Sequence, residues 1–556
     1  MTNKSLYLFG IAGMIGAVAA FFFYPKAFPQ SALKVDITHR EAEERAIAYL
    51  KREAIDLSPE WRRATVFTVD NDAQIFLQRA LGIPQFIQAV ATDLELEPWQ
   101  YATRFFRPLE KEEYEVGVDA RGNLISFRHT VEEAGAGASL TKEQARSLAV
   151  AFAARELQID LANYEEKGYQ DEKLDKRVDH SFDFELRGYA VAWSPDERAS
   201  KGAKRINVTV QGDEIGSFSK YVFVPEDFQR LQQTADASGF LLVIVAGVLE
   251  LVFSVFAVLF LFRRYKTGDL RGRWLVMLTA FAALLLVLAA ASAPATLFFD
   301  YPTTTPWLNF LTTSILLLIF AAAFFVFFTL LTALPGESLA REIFPHANDV
   351  DPQKSHPQRR VFLSIIKGFL LGIFLIGYIS AFYYFGARFF GIWAPVTPEV
   401  FDYMASFLPF LVPLAVGATA AVSEELSFRL FGISLVKKYL RFTPVALLIP
   451  AMIWAFLHST YPVYPTYVRG IELTIVGLIL GYVFLKEGIL TTMVAHFTLN
   501  SFLLSLPLLA SASRTLRTWG IIAILLTIGV PFLYYLLTRG SPQGSGAQRA
   551  LKKLST

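Results

Sequence analysis

The sequence predicts an all-α polytopic membrane bundle of about ten transmembrane helices, joined to an α+β soluble domain made of two repeats. Of the 556 residues, 53% are hydrophobic and only 18% are charged, which is too apolar for a purely soluble protein. Ten apolar runs are long enough to cross a hydrocarbon core about 30 Å thick. Residues 32–236, in contrast, have the mixed and charged composition of a folded soluble region.

The first apolar run covers residues 6–24 and follows Lys4. Residues 25–29 after it offer no small-x-small cleavage site, and the run is longer than the apolar part of a typical signal peptide. We therefore predict an uncleaved signal anchor over residues 1–30.

The soluble region is predicted to contain two repeats, over about residues 32–130 and 137–236. Each repeat opens with helical periodicity and continues with alternating apolar residues typical of a hairpin, at Val116 to Leu124 and at Val208 to Ile215. The likeness to small PepSY-type domains implies a gating, inhibitory or sensing module, and a spacer without a ligand is the alternative. The matched positions are Thr38 with Thr141, Ala42 with Ala145, and Ala46 with Ala149.

Nine further apolar runs follow Gly239. Three are interpreted as accessory helices within residues 239–345, and six as a core within residues 360–540, including runs at 405–423, 443–460 and 489–510. Lysine and arginine cluster in alternate loops, which the positive-inside rule assigns to the cytoplasm. Both termini are therefore predicted to be cytoplasmic, residues 32–236 to face outward from a bacterial plasma membrane, and residues 541–556 to be a disordered tail.

The polar residues of the core occur in three groups. Glu424 and Glu425 precede Arg429, His458 follows an aromatic residue at Trp454, and His496 precedes Asn500 by one helical turn. Charged side chains in membrane spans are costly, so such a set predicts function. The four-residue spacing predicts an ion pair between Glu425 and Arg429, which leaves Glu424 free to face a cavity.

These residue types suit hydrolysis in a shielded cavity. Glu424 can take a proton from water as general base, while one histidine protonates the leaving amine and the other stabilises the oxyanion with Asn500. A metal site of Glu424, His458 and His496, holding one divalent ion such as zinc, is the alternative. The absence of cysteine excludes a thiol nucleophile, and no HExxH motif is present. Trp454 is interpreted as a packing residue, and Glu250 falls in an apolar run with no evident partner.

The motifs EExxxR, aromatic-xxxH and HxxxN, in this order on successive runs, resemble the CPBP family of intramembrane endopeptidases, which includes the CAAX prenyl proteases. The resemblance covers roughly residues 360–510, with Trp454 where the family usually has phenylalanine. It implies that Glu424 activates water with the help of His458, that His496 and Asn500 complete the site, and that Glu425 and Arg429 support it. It leaves open whether the mechanism requires a metal.

The sequence thus predicts a membrane-embedded endopeptidase whose partners are a peptide or protein substrate and the lipid bilayer, with no nucleic acid. Glu424 precedes the basic loop at Lys437 to Arg441, which predicts cleavage near the cytoplasmic face. The alternative is a non-catalytic membrane sensor or immunity protein that uses the same helices as a scaffold. That alternative accounts less well for the complete set of polar residues.

Overall fold

The computed structural model describes residues 3–28, 35–93, 96–196, 198–344, 357–394 and 402–539. Helix α1 (Asn3–Ala27) precedes a region that contains eight strands and four helices. These elements are α2 (His39–Arg52), β1 (Arg62–Val69), α3 (Asn71–Leu81), α4 (Ile83–Thr92), β2 (Trp99–Phe106), β3 (Glu113–Asp119), β4 (Leu124–Thr130), α5 (Lys142–Glu156), β5 (Tyr164–Lys173), β6 (Val178–Leu186), β7 (Ala203–Gln211) and β8 (Glu214–Phe223).

The remainder of the described chain is helical. Its helices are α6 (Glu226–Lys266), α7 (Arg273–Ser292), α8 (Pro294–Phe299), α9 (Trp307–Ile343), α10 (Pro357–Phe390), α11 (Leu411–Glu424), α12 (Ser434–Leu440), α13 (Thr443–Phe456), α14 (Tyr467–Glu487), α15 (Ile489–Ala510) and α16 (Arg514–Arg539). Within the described ranges, nine helical segments are long and apolar enough to cross a membrane, and α13 is a shorter apolar helix. Of the ten predicted spans, the one over residues 443–460 is therefore wrong in length. The predicted disordered tail lies outside the described residues.

The eight strands form one antiparallel sheet in the order β1-β2-β3-β4-β8-β7-β6-β5. It consists of two four-stranded halves joined where β4 pairs with β8, with Phe127 opposite Phe218. Helices α2 and α5 contribute Ala46 and Ala149 to one apolar core with these two phenylalanines. We call residues 35–225 the sheet domain.

The two halves of the sheet domain begin with the same helix start. Thr38 and Glu41 form a reciprocal capping box at α2, and Thr141 and Gln144 form one at α5. Both predicted hairpins are confirmed, as β3 with β4 and β7 with β8. Each half contains four strands, whereas the sequence predicted only the two strands of its hairpin. Helices α3 and α4, which lie between β1 and β2 of the first half, were also not predicted.

The sheet domain packs against one end of the helical bundle. Arg104 donates to the carbonyls of Phe299 and Tyr301 after α8, and Tyr403 lies in the same apolar core as Phe67 of β1. We call this end of the bundle the sheet side. The opposite helix ends carry the lysine and arginine clusters, including those at the ends of α6 and α12, and we call them the basic side.

Helix α1 packs along α10 at a crossing made of glycine. A Cβ on Gly16 would lie 2.3 Å from Phe374 Cα, and one on Gly377 would lie 2.2 Å from the Gly16 carbonyl oxygen. Small residues allow such close approach of two backbones, which is a common basis of helix association in membranes. The predicted anchor is thus also a packed component of the bundle.

Glu97 gives the sheet domain a pH-dependent stability. Its side chain is 2% exposed, and burial, followed by the neighbouring Asp119 charge, raises its pKa from 4.5 to about 7 despite Arg121 nearby. Between these values the folded protein holds a proton that the unfolded chain has released, so stability falls as pH rises through this window. The cost reaches about 3 kcal/mol above pH 7.

We therefore expect Glu97→Gln to raise the unfolding temperature of the full-length protein in detergent at pH 8 and to change it little at pH 4.5. Glu60→Gln, at an exposed position, is the control. An equal change for Glu97→Gln at both pH values would contradict this explanation.

Candidate active site

The doubled carboxylate lies in the middle of a continuous helical segment. The predicted span ends at residue 423, but the chain remains helical from Leu411 to Leu440 through α11, a π-helical stretch over Glu425–Ile433, and α12. Glu424 lies 13 residues from Leu411 and 13 from Lys437, so about 20 Å of helix separates it from either end. The prediction that Glu424 lies near the basic loop is therefore wrong, because residues 430–436, which are mostly apolar, continue the helix beyond Glu425 and Arg429.

The π-helical stretch sets the orientation of the charged residues. Such wider turns inside α-helices are frequent at functional sites. Here the stretch buries both Glu425 and Arg429 completely and leaves Glu424 half-buried. Thr332 of α9 bonds to Ser427 at 2.8 Å between the two hydroxyl oxygens, which ties the stretch to its neighbouring helix.

Glu425 links the first motif to the third. Its Oε1 lies 3.2 Å from Arg429 Nη1 and 2.9 Å from His496 Nδ1 on α15. A carboxylate accepts hydrogen bonds, so His496 donates from Nδ1 and presents Nε2 to the other side. The predicted pair with Arg429 is confirmed, and Glu425 in addition orients His496.

Glu424 lies on the Nε2 side of His496. Its Oε2 is 3.8 Å from His496 Nε2, and it accepts a hydrogen bond from the indole Nε1–H of Trp454 on α13. The Arg429 guanidinium lies over the Trp454 ring, 4.2 Å from its centroid. Trp454 is buried in the apolar core, as its interpretation as a packing residue expects, and in addition it bonds the carboxylate that was expected to be free.

His458 is not inside a helical span. Helix α13 ends at Phe456, and His458 lies in the turn that follows, where its backbone N–H donates to Ala455. The ring is half-buried, with Nδ1 2.8 Å from the Trp454 carbonyl oxygen and its centroid 5.5 Å from that of the Trp454 ring. His458 thus belongs to the site through Trp454, at the start of a loop on the sheet side.

The loop between α13 and α14, residues 457–466, is bonded to helix α6. Tyr464 donates to Asp236 Oδ1 at 2.7 Å and accepts from Gln232, and Thr466 bonds to Ser238 at 2.8 Å between the hydroxyl oxygens. We call residues 457–466 the α13–α14 loop. The sequence indicated an irregular segment here through its two prolines, but it gave no sign of the contact with α6.

Asn500 lies one turn beyond His496 on α15 and is half-buried. No hydrogen bond from its side chain to another described residue is present. Its carboxamide is therefore available to a group that enters the site, which is compatible with the predicted role.

The metal alternative fits the described residues poorly. Glu424 Oε2 and His496 Nε2 are close enough to share an ion, but no group of three or more histidine, aspartate or glutamate side chains in the described ranges converges as a ligand set. Structural and catalytic zinc sites in proteins need at least three protein ligands. We therefore derive no step through a metal.

Glu250 on α6 does not reach this site through any hydrogen bond within the described part of the chain. Its Oε2 is buried without a partner there. No partner for Glu250 is evident from the sequence, and the described residues provide none for its Oε2.

The contacts define the class of the site, which is a carboxylate and histidine centre assembled between membrane helices. Residues 406–502 match the family model described as type II CAAX prenyl endopeptidase Rce1-like. This matched segment contains Glu424, Glu425, Arg429, His458, His496 and Asn500. The segment is therefore a CPBP-type core, as its three motifs predict.

One curated relative is the sporulation-killing factor biosynthesis protein SkfC of Bacillus subtilis (strain 168). The chain is 27% identical to it over 116 residues, which are 20% of this chain and 23% of the relative. The match thus spans less than a quarter of the relative's length. No solved structure matches the chain significantly. The PepSY likeness of the sheet domain stays a prediction.

Proposed function

We propose that this protein is an intramembrane endopeptidase that hydrolyses a peptide bond of a membrane-associated peptide or protein with a water activated by Glu424. The observation that carries the proposal is the position of His496, with Nδ1 on Glu425 and Nε2 facing Glu424. Such an arrangement couples a carboxylate that can accept a proton to an imidazole that a second carboxylate orients.

In this mechanism Glu424 takes a proton from water as the water attacks the scissile carbonyl, and His458 assists. In this proposal His496 carries protons on both nitrogens before the water attacks, and it stabilises the developing oxyanion by donating from Nε2, together with the Asn500 amide. Glu425 stabilises the positive charge that His496 carries throughout. The proton held by Glu424 passes to the leaving amine as the C–N bond breaks.

The proposed reaction can be tested on the purified full-length chain in lipid nanodiscs. We expect it to cut members of an apolar synthetic peptide library and to release new amino termini, which mass spectrometry identifies. Cleavage should persist in a chelator, because the proposed mechanism requires no metal ion. Absence of any cut peptide contradicts the proposed activity, and loss of cleavage in chelator with recovery on added zinc contradicts the proposed mechanism.

We also propose that the basic side faces the cytoplasm and the sheet side faces outward. The support is that the lysine and arginine clusters lie at the helix ends opposite the sheet domain. Both termini are then cytoplasmic, and Glu424, far from both ends of its helix, lies near the middle of the bilayer.

The absence of cysteine from the sequence permits a direct test of this orientation. We expect Ser147→Cys, exposed on α5, to react with a membrane-impermeant maleimide in intact cells. Thr267→Cys, exposed at the basic end of α6, should react only after the cells are permeabilised. The reverse pattern would contradict the proposed orientation.

A further inference from the structure

Trp454 contacts Glu424, Arg429 and His458. Its indole Nε1–H donates to Glu424 Oε2, its ring lies under the Arg429 guanidinium, and its carbonyl oxygen is 2.8 Å from His458 Nδ1. The ring centroid is also 5.9 Å from that of His496. The side chain is 3% exposed, so these contacts fix it in one orientation.

The indole N–H has only one possible role toward Glu424. It is a donor without acceptor capacity, and an ionised carboxylate is an acceptor without donor capacity. The bond therefore holds Oε2 in place and leaves Oε1 as the oxygen that can meet a water.

The backbone carbonyl of Trp454 acts in the same way on His458. A carbonyl only accepts, so His458 carries its proton on Nδ1 and presents an unprotonated Nε2 when the ring is neutral. An unprotonated Nε2 can accept a hydrogen bond from the same water. Trp454 thus bonds both Glu424 and His458, the two groups that are expected to bind the water.

We propose that Trp454 is a positioning residue of the hydrolytic site, with its indole N–H orienting Glu424 and its carbonyl selecting the tautomer of His458. This inference rests on the proposed function. The indole N–H of Trp454 is a hydrogen-bond donor, whereas the phenylalanine usual at this position in the family has no such donor. Arg429 over the ring supports the arrangement, because it fixes the plane of the indole and hence the direction of the N–H.

The variant Trp454→Phe separates this role from packing. It retains an aromatic ring and the backbone carbonyl and removes the Nε1–H. Loss of one hydrogen bond to a charged group lowers a rate by a factor of about 10 to 100. We expect kcat on a cut library peptide to fall by such a factor while KM changes little, because the lost bond orients the base and does not bind the substrate.

The control is Trp519→Phe, because Trp519 stacks on Phe410, with ring centroids 5.3 Å apart, away from the site. This control should leave both kcat and KM unchanged. A Trp454→Phe enzyme with wild-type kcat, or one that loses activity only through a raised KM, overturns the proposal, since a positioned base acts on kcat.

A second measurement does not depend on catalysis or on the variant folding. In protein labelled with 15N-tryptophan, the Trp454 indole proton, bonded to a carboxylate, should resonate downfield of ordinary indole protons and move in Glu424→Gln. A Trp454 indole signal that is the same in the wild type and in Glu424→Gln overturns the positioning role even if peptides are cut. A downfield signal in a protein that cuts no peptide supports the bond and instead contradicts the proposed function.

Discussion

Replacing Glu424 with glutamine is expected to slow the proposed peptide cleavage strongly while the protein folds as the wild type does. Glutamine has nearly the same shape and can still accept the Trp454 N–H through its amide oxygen, but it cannot take a proton from water. General-base catalysis contributes a factor of about 10² to 10⁴ to a rate. We expect a loss in this range, measured as initial rate on a cut library peptide in nanodiscs.

The matched control is Glu250→Gln, which changes another carboxyl group in a membrane helix. Glu250 has a buried Oε2 and makes no hydrogen bond to the active-site residues within the described ranges. We expect wild-type cleavage from this variant and equal unfolding temperatures for both. If Glu424→Gln retained the full rate with the same product termini, Glu424 would not be the base.

Replacing Glu425 with alanine destabilises the whole bundle. Both Glu425 and Arg429 are fully buried, so the substitution leaves a guanidinium without its counter-charge and His496 without its acceptor. Removal of one partner of a buried ion pair costs about 3 to 5 kcal/mol. We expect a clear fall in unfolding temperature in detergent and little protein in the membrane fraction.

Two controls show whether the loss of stability comes from the unpaired buried charge of Arg429 or from removal of a glutamate side chain in general. Glu342→Ala removes the partner of Lys438 in a half-exposed pair at the basic side, where the expected cost is below about 1 kcal/mol. The double variant Glu425→Leu with Arg429→Leu removes both charges and should recover much of the lost stability while remaining inactive. A double variant less stable than Glu425→Ala would show that the uncompensated charge is not the cause.

The features that could be predicted from the sequence are those that depend on the spacing of residues close together in the chain. Apolar runs indicated the helices, four-residue intervals indicated the pair of Glu425 with Arg429, and the repeated threonine starts indicated two matching halves of the sheet domain. These features are set within one or two helical turns. They can be read from the chain without knowledge of its neighbours.

The contacts between helices could not be predicted in this way. Nothing in the spacing of Trp454 shows that its N–H reaches a carboxylate 30 residues earlier in the chain. The end of α13 before His458 was missed because residues 455–457 are as apolar as the helix they follow. The insertion of α3 and α4 was missed because their apolar residues pack onto the sheet rather than forming a separate core.

Helix α6 connects two regions that could otherwise respond to ligands independently. Its 41 residues run unbroken from Glu226 to Lys266. Phe228, near the start, packs in the core of the sheet domain, and the helix continues past the bonds to the α13–α14 loop to the basic side. Binding equilibria at two places joined by one rigid element are thermodynamically reciprocal. If a ligand of the sheet domain shifted that domain and α6 together, it would change the affinity of the candidate site for a peptide, and a bound peptide would change the affinity of the sheet domain for that ligand by the same factor.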